Sequence, residues 1–240
     1  MMETPTGSLA AWRPAWRALT LTLIAFVAAL FVDTWAYHHL TNPAVYDRDW
    51  GRLLRVMGFL GTWVALAVAL WLHERGDGQL AARATRRAWL LLGSAALGGL
   101  LAEVLKLLIR RERPAVHDGL YGFRDFAERT WSTAGLALPS SHTLVAFGGA
   151  AMLARLYPRA AWVGYVLAAG CGVTRVLAQA HFVSDVVGGL VVALAVLVVW
   201  WRRRSRISEA AVSTPTPTQL KLVPPRWRAI ERFVRIAAWA

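Results

Sequence analysis

The chain has 240 residues, 57% of them hydrophobic and 17% charged, whereas a soluble domain carries about a quarter charged residues. Its 27 basic residues against 14 acidic ones give a net charge of +13. Such a composition excludes a disordered or collagen-like chain, and the lone cysteine, Cys171, excludes an internal disulfide framework and a thiolate zinc site.

A helix needs about 20 apolar residues to cross the hydrocarbon core of a bilayer. Six windows meet or approach that length. The first runs from about Ala18 to Trp35, with Asp33 as its one charge, and the second from about Val56 to Leu72. The third, about Ala88 to Ile109, carries Glu103 and Lys106 in its last turns. The fourth, about Ser140 to Tyr157, opens on Ser-Ser-His. The fifth, about Ala160 to Leu177, holds Arg175 near its exit, and the sixth, about Val186 to Trp201, is apolar throughout. Arg13 and Arg17 ahead of the first window also suit a signal peptide, but the apolar stretch is long and no small-x-small cleavage site follows it.

These windows predict an all-α protein: a polytopic six-transmembrane helix bundle over residues 18–201, preceded by an amino tail over 1–17. Residues 202–225 start with a basic stop, Arg202 to Arg204 and Arg206, and continue as a Pro/Thr-rich linker. Over 226–240, Trp227, Ile230, Phe233, Val234 and Ala237 share one helical face and Arg228, Arg232 and Arg235 the other, the pattern of an amphipathic helix in the membrane interface. With six crossings both termini share a side. That side holds 17 of the basic residues against 10 on the opposite one, nine of the 17 lying in the carboxyl tail, so both termini are predicted cytoplasmic.

Ionisable groups at membrane depth are costly and usually functional or paired. Here they gather at three predicted helix ends. Lys106 and Arg113 are seven residues apart, on one face if the third helix continues to Pro114. Ser140, after Pro139, suits the N-cap of the fourth helix, whose outward amides make an anion site. The fifth ends in Thr174, Arg175 and His181, with Asp185 four residues beyond. In an antiparallel chain these ends lie on one side, and two guanidiniums, an ammonium and a row of amides around two histidines suit a phosphate.

Lys106 with Arg113-Pro114, Pro139-Ser140-Ser141-His142, and Thr174-Arg175 with His181 resemble, in order, the three motifs of the type 2 phosphatidic acid phosphatase (PAP2) superfamily. That superfamily includes membrane lipid phosphatases and soluble haloperoxidases. The match covers about residues 88 to 200. Two positions depart from the pattern: Ser141 stands where the family usually has Gly, and Thr174 where it usually has Ser. The resemblance implies a PAP2/haloperoxidase-like core and a two-step phosphoryl transfer without metal or other cofactor. His181 would be the nucleophile that forms a phosphohistidine, and Asp185 would hold its ring. His142 would protonate the leaving oxygen and then activate water. Lys106, Arg113, Arg175, Ser140 and Ser141 would bind the phosphoryl oxygens.

The expected substrate is a membrane lipid phosphate or diphosphate, met at the non-cytoplasmic face of a bacterial inner membrane. Undecaprenyl diphosphate leads phosphatidic acid and phosphatidylglycerophosphate. A lipid-to-lipid phosphotransferase is the related alternative, and a catalytically silent scaffold or an anion transporter the distant one. Nucleic acid is not an expected partner, because the basic residues sit at helix ends and in a tail without a recognition motif. Glu103 is expected to pair with Lys106 three residues on or to sit in the bundle interior. Arg110 and Arg111 suit either a second phosphate or the membrane interface, and Trp131 a wall of the site. The small-residue run Gly93 to Gly99 and the pairs Gly148-Gly149 and Gly188-Gly189 suit close helix packing. The 110–139 loop, with Tyr121, Phe123, Phe126 and Trp131, is long enough to be functional and is expected to gate lipid access.

Overall fold

The computed structural model describes residues 7–76 and 78–196, with side chains from residue 16 onward. The expected linker over 202–225 and interfacial helix over 226–240 lie outside the described residues. Residues 18–194 form one compact unit, which holds every site residue discussed below.

Among the described residues seven α-helices follow in order: α1 (Gly7–His39), α2 (Asp49–Val56), α3 (Leu60–Glu74), α4 (Gln79–Ile109), α5 (Ser141–Leu156), α6 (Ala161–Leu177) and α7 (Val183–Val196). Short 3-10 turns at Pro43–Asp47, Pro114–Val116 and Pro158–Ala160 each begin at a proline, which has no amide to lose there. No β-strand occurs among the described residues; two isolated bridges, Arg111 to Phe123 and Glu112 to Leu136, tie down the long connection between α4 and α5.

Three stretches are long and apolar enough to cross a bilayer: Trp16–His39 in α1, α4, and Pro158–Leu177, which includes α6. The pair α2 and α3 qualifies only as one span bent by 72°. Of the six expected windows, three are thus long and apolar enough by themselves among the described residues, and a fourth is if the bent pair is one span. The second window misses α2, whose Asp49, Arg52 and Arg55 interrupt the apolar run. The 16 residues of α5 reach about 24 Å at 1.5 Å each, less than the about 30 Å of a hydrocarbon core.

The core lies where α3, α4, α5 and α6 meet. Trp63 on α3 is fully buried among Ala67, Leu91, Ala95, Val145, Ala146, Ala150, Ala168 and Cys171. One large ring thus fills a space lined mostly by small side chains, and its Nε1 donates to the Met57 carbonyl at 2.9 Å. Gly98 and Gly148 are required at the α4–α5 crossing: a Cβ on Gly98 would strike the Leu144 carbonyl, and one on Gly148 the Ser94 carbonyl. Gly93, by contrast, has open space around it and takes no part in the expected close packing. α1 leaves most of its side chains at the surface, Phe31 and Ile24 among them, as a helix facing lipid does.

Candidate active site

The expected continuation of α4 to Pro114 does not occur. Arg110 takes a left-handed backbone conformation, φ 59°, and its amide closes the helix on the Lys106 carbonyl. Its buried guanidinium donates to the carbonyls of Arg124 at 3.2 Å, Asp125 at 2.7 Å, Thr130 at 3.5 Å and Glu128, and lies over the Phe126 ring. Four of the five fixed donors of the guanidinium are thereby spent on loop carbonyls. Arg110 meets neither expectation: it is the internal post around which the 110–140 connection is folded. From there residues 111–113 run in extended form, and the Arg113 amide donates to the Gly135 carbonyl at 3.1 Å.

Lys106, one turn before the end of α4, is buried. Its Nζ donates to Glu103 Oε1 at 3.1 Å and to the Ser141 hydroxyl, which itself donates to Glu103 Oε1 at 2.5 Å. Ser141, the departure from glycine, thus closes a three-membered network on the ammonium. Ser140 is the N-cap of α5: its side chain accepts from the Thr143 amide at 3.5 Å, and its own amide donates to the Asp185 carbonyl at 3.1 Å. His142 sits in the first turn of α5 against Gly58, where a Cβ would overlap the histidine.

α6 stops at Leu177, four residues before His181, and Gln179 turns the chain with φ 55°. Arg175 is buried, and its Nη1 donates to the Tyr46 hydroxyl at 3.0 Å; that hydroxyl donates to the Thr174 carbonyl at 3.1 Å. His181 lies in the connection into α7, its amide held by the Arg175 carbonyl at 3.3 Å. Asp185, in the first turn of α7, presents Oδ2 to His181 Nδ1 at 3.6 Å while Oδ2 also accepts from the Phe182 amide at 2.7 Å.

Behind Asp185 stands Arg111. Its Nη2 donates to Asp185 Oδ1 at 2.5 Å and to Ser184 Oγ at 2.7 Å, and lies 3.8 Å from Asp33 Oδ2. Asp33, from α1, accepts from the Ser184 amide at 2.9 Å, the Ser184 hydroxyl and the Tyr121 hydroxyl at 2.8 Å. The Arg111 guanidinium is enclosed by the Tyr121 and Phe182 rings, 4.8 and 4.7 Å from their centroids. Arg111 is therefore a buried brace and not a contact for substrate or lipid. Sequence reading missed it, and missed Asp33, Ser184 and Tyr46. Asp33 carried a signal, as the one charge of its apolar window.

The structure brings the eight expected residues into one electrostatic neighbourhood. The charges of Lys106, Arg113 and Arg175 act on one another, and those of Arg175, His181, Lys106 and Arg55 on His142. Burial pushes the His181 imidazole down to about 4, with Asp185 pulling the other way and the Arg175 and Lys106 charges adding to the fall. Among the buried side-chain atoms without a hydrogen-bond partner are Arg113 Nε, Arg175 Nε and His181 Nδ1. The two buried arginine donors suit the oxygens of a tetrahedral anion, while His181 Nδ1 faces Asp185. Among the described residues no three His, Cys, Asp or Glu side chains gather as metal ligands would. The Tyr121 hydroxyl, pushed up to about 12 by burial and by Asp33, belongs to the brace. Trp131 is 87% exposed and forms no wall of the site.

The family described as PAP2 superfamily matches residues 87–209. The chain is 29% identical over 197 residues to the lipid A 1-phosphatase of Rhizobium johnstonii, across 78% of this chain and 76% of the relative. It is 30% identical over 186 residues to the lipid A 1-phosphatase of Rhizobium etli, across 73% and 79%. The decaprenylphosphoryl-5-phosphoribose phosphatase of Mycolicibacterium smegmatis is 34% identical over 130 residues, across 53% of this chain and 62% of the relative. A crystal structure of a transmembrane PAP2 type phosphatidylglycerolphosphate phosphatase from Bacillus subtilis is 22% identical and covers 78% of this chain and 96% of its own, with a TM-score of 0.48.

Proposed function

The chain belongs to the PAP2 superfamily and is a membrane lipid phosphatase; from that premise we propose that it cleaves a lipid phosphate through a phosphohistidine on His181. The observation that carries this reading is the enclosed histidine itself: Nδ1 faces Asp185 at 3.6 Å while Lys106 and Arg175 act on the ring.

In the first step the Nε2 lone pair of neutral His181 forms an N–P bond as the bond from phosphorus to the lipid oxygen breaks. His142 gives its proton to that oxygen. In the second, His142 takes a proton from water, the water oxygen attacks phosphorus, and the N–P bond breaks to release phosphate. Lys106, Arg113, Arg175, the Ser140 hydroxyl and the first amides of α5, that of Ser141 included, hold the phosphoryl oxygens while charge builds on them. Low proton affinity in the buried ring keeps His181 in the attacking form. Asp185 selects the tautomer with the proton on Nδ1.

Counting α1, the α2–α3 pair, α4, α5, α6 and α7 as six crossings puts the carboxyl ends of α1, α4 and α6 and the amino ends of α5 and α7 on one side. With the basic residues as distributed, that side is the non-cytoplasmic face, in a bacterium the outer face of the inner membrane. The exposed Phe123, Phe126 and Trp131 of the 110–140 connection then meet the lipid boundary and frame the path of the headgroup.

The two lipid A 1-phosphatases support a phosphate carried on a saccharide-based lipid headgroup as a leading substrate class. The test is phosphate release by purified protein from lipid A, phosphatidylglycerophosphate, phosphatidic acid and undecaprenyl diphosphate. The account expects turnover of at least one, inhibition by vanadate, and loss in both His181→Ala and His142→Ala. Unchanged turnover in the two variants overturns the mechanism.

A further inference from the structure

Two arginines on α2 face different surroundings. Arg52 donates to Asp49 at 2.8 Å in an exposed pair. Arg55, three residues on, has no carboxylate partner among the described residues. Its guanidinium lies 4.7 Å above the centroid of the Tyr46 ring, an arrangement that holds a cation without neutralising it. Tyr46 is the residue whose hydroxyl accepts from Arg175. The turn that follows Arg55 brings Gly58 against His142, and the carbonyls of Arg55 and His142 both lie near Cys171 Sγ, at 3.9 and 4.0 Å. The Arg55 charge is felt at His142.

An exposed guanidinium without a carboxylate partner among the described residues thus shares the Tyr46 ring with Arg175, and its charge acts on the histidine assigned to the leaving oxygen. In the two-step reaction, whatever the leaving oxygen is attached to must lie next to His142. We infer that Arg55, set by the Tyr46 ring, forms a second anion subsite for a phosphate on the leaving-group side of the scissile bond. The preferred substrate class is then a lipid diphosphate, or a headgroup whose leaving part bears its own phosphate. In a diphosphate the bond broken is P–O–P: the terminal phosphoryl group passes to His181, and the lipid monophosphate departs with the proton from His142 while its charge rests on Arg55. This inference rests on the phosphatase reading above.

The test compares farnesyl diphosphate with farnesyl monophosphate as detergent-dispersed substrates. Wild type should show the higher kcat/KM on the diphosphate. Arg55→Gln should lower kcat/KM on the diphosphate at least tenfold more than on the monophosphate, Arg55→Lys should retain most of the preference, and Arg52→Gln should leave the ratio as in wild type. Inorganic pyrophosphate should compete more strongly than orthophosphate in wild type and lose that advantage in Arg55→Gln. Equal losses on both substrates, or an unchanged ratio in Arg55→Gln, overturn the subsite while leaving the phosphatase reading in place. Should Arg55→Gln fail to fold, the wild-type preference and the pyrophosphate-to-orthophosphate ratio decide, and a preference for the monophosphate overturns the inference. Failure of wild type to cleave either substrate, or any member of the wider lipid panel, overturns both.

Discussion

Arg111 Nη2 and Asp185 Oδ1 meet at 2.5 Å with both side chains buried, and the second oxygen of the same carboxylate faces His181. One guanidinium from the extended segment after α4 therefore fixes the carboxylate that faces the His181 ring in front of α7, and through Ser184 and Asp33 it ties that carboxylate to α1. Removing one partner of a buried pair leaves the other charge uncompensated, at a cost of about 3–5 kcal/mol. Arg111→Gln should lower the unfolding temperature in detergent markedly and abolish turnover. Arg111→Lys, which keeps the charge but not the fork, should fall between. Unfolding and activity like wild type in both variants would show that the brace has no mechanical role.

The protonation of His181 is accessible to direct measurement. An unfolded histidine binds its proton from about pH 6.5 downward, whereas His181 in the folded chain does so only at about 4. Between those values the unfolded state holds more protons, so stability falls as pH drops from 6.5 toward 4, by about 3 kcal/mol for this group. Histidine ring NMR, with the signal assigned by its loss in His181→Gln, should show a resonance that titrates near pH 4. A midpoint near 6.5 would mean that the ring is not enclosed as described.

Ser141 gives the site a test of its departure from the family pattern. Its hydroxyl joins Lys106 to Glu103, and hydrogen bonds to charged groups contribute about 1.5–3 kcal/mol each. Ser141→Gly should therefore reduce kcat/KM by about tenfold, equivalent to about 1.4 kcal/mol, and Glu103→Gln by a similar factor. Because the three groups form one network, the double variant should lose less than the product of the two. Strict additivity, or a gain on restoring glycine, would separate Ser141 from the function of Lys106.

Helix packing supplies a prediction remote from the chemistry. The Gly98 and Gly148 positions admit no Cβ without displacing backbone of the facing helix, and overpacking of this kind costs about 1–3 kcal/mol. Gly98→Ala and Gly148→Ala should each lower the unfolding temperature, while Gly93→Ala, in open space, should not. The contrast within one glycine-rich stretch is the informative result.

Local patterns carried much of the architecture. The apolar windows located α1, α3, α4, α5, α6 and α7, and the Ser140 cap marked the start of α5, because hydropathy and capping act over a few neighbouring residues. α2 was hidden because it is short and charged, and the α4 terminus because an arginine in left-handed conformation leaves no glycine signature at Arg110. The motif residues could be named from the sequence, and the structure sets them at the ends of α4 and α6 and the starts of α5 and α7; the brace could not. Asp33 and Arg111 are 78 positions apart in the sequence, and their pairing follows from how α1 and the α4–α5 connection fold around α7. Likewise nothing in the row of charges distinguishes Arg110, spent on loop carbonyls, from Arg113, left with a buried donor.

The central claim is that phosphorus becomes bonded to His181. A short-chain lipid phosphate labelled with radioactive phosphorus, mixed with wild type and quenched in alkali within one turnover, should leave label on the protein in an alkali-stable, acid-labile form that peptide mapping assigns to His181. His142→Ala, slowed in the second step, should hold label longer than wild type, and His181→Gln should hold none. Label on His142, or label retained in His181→Gln, would contradict the account.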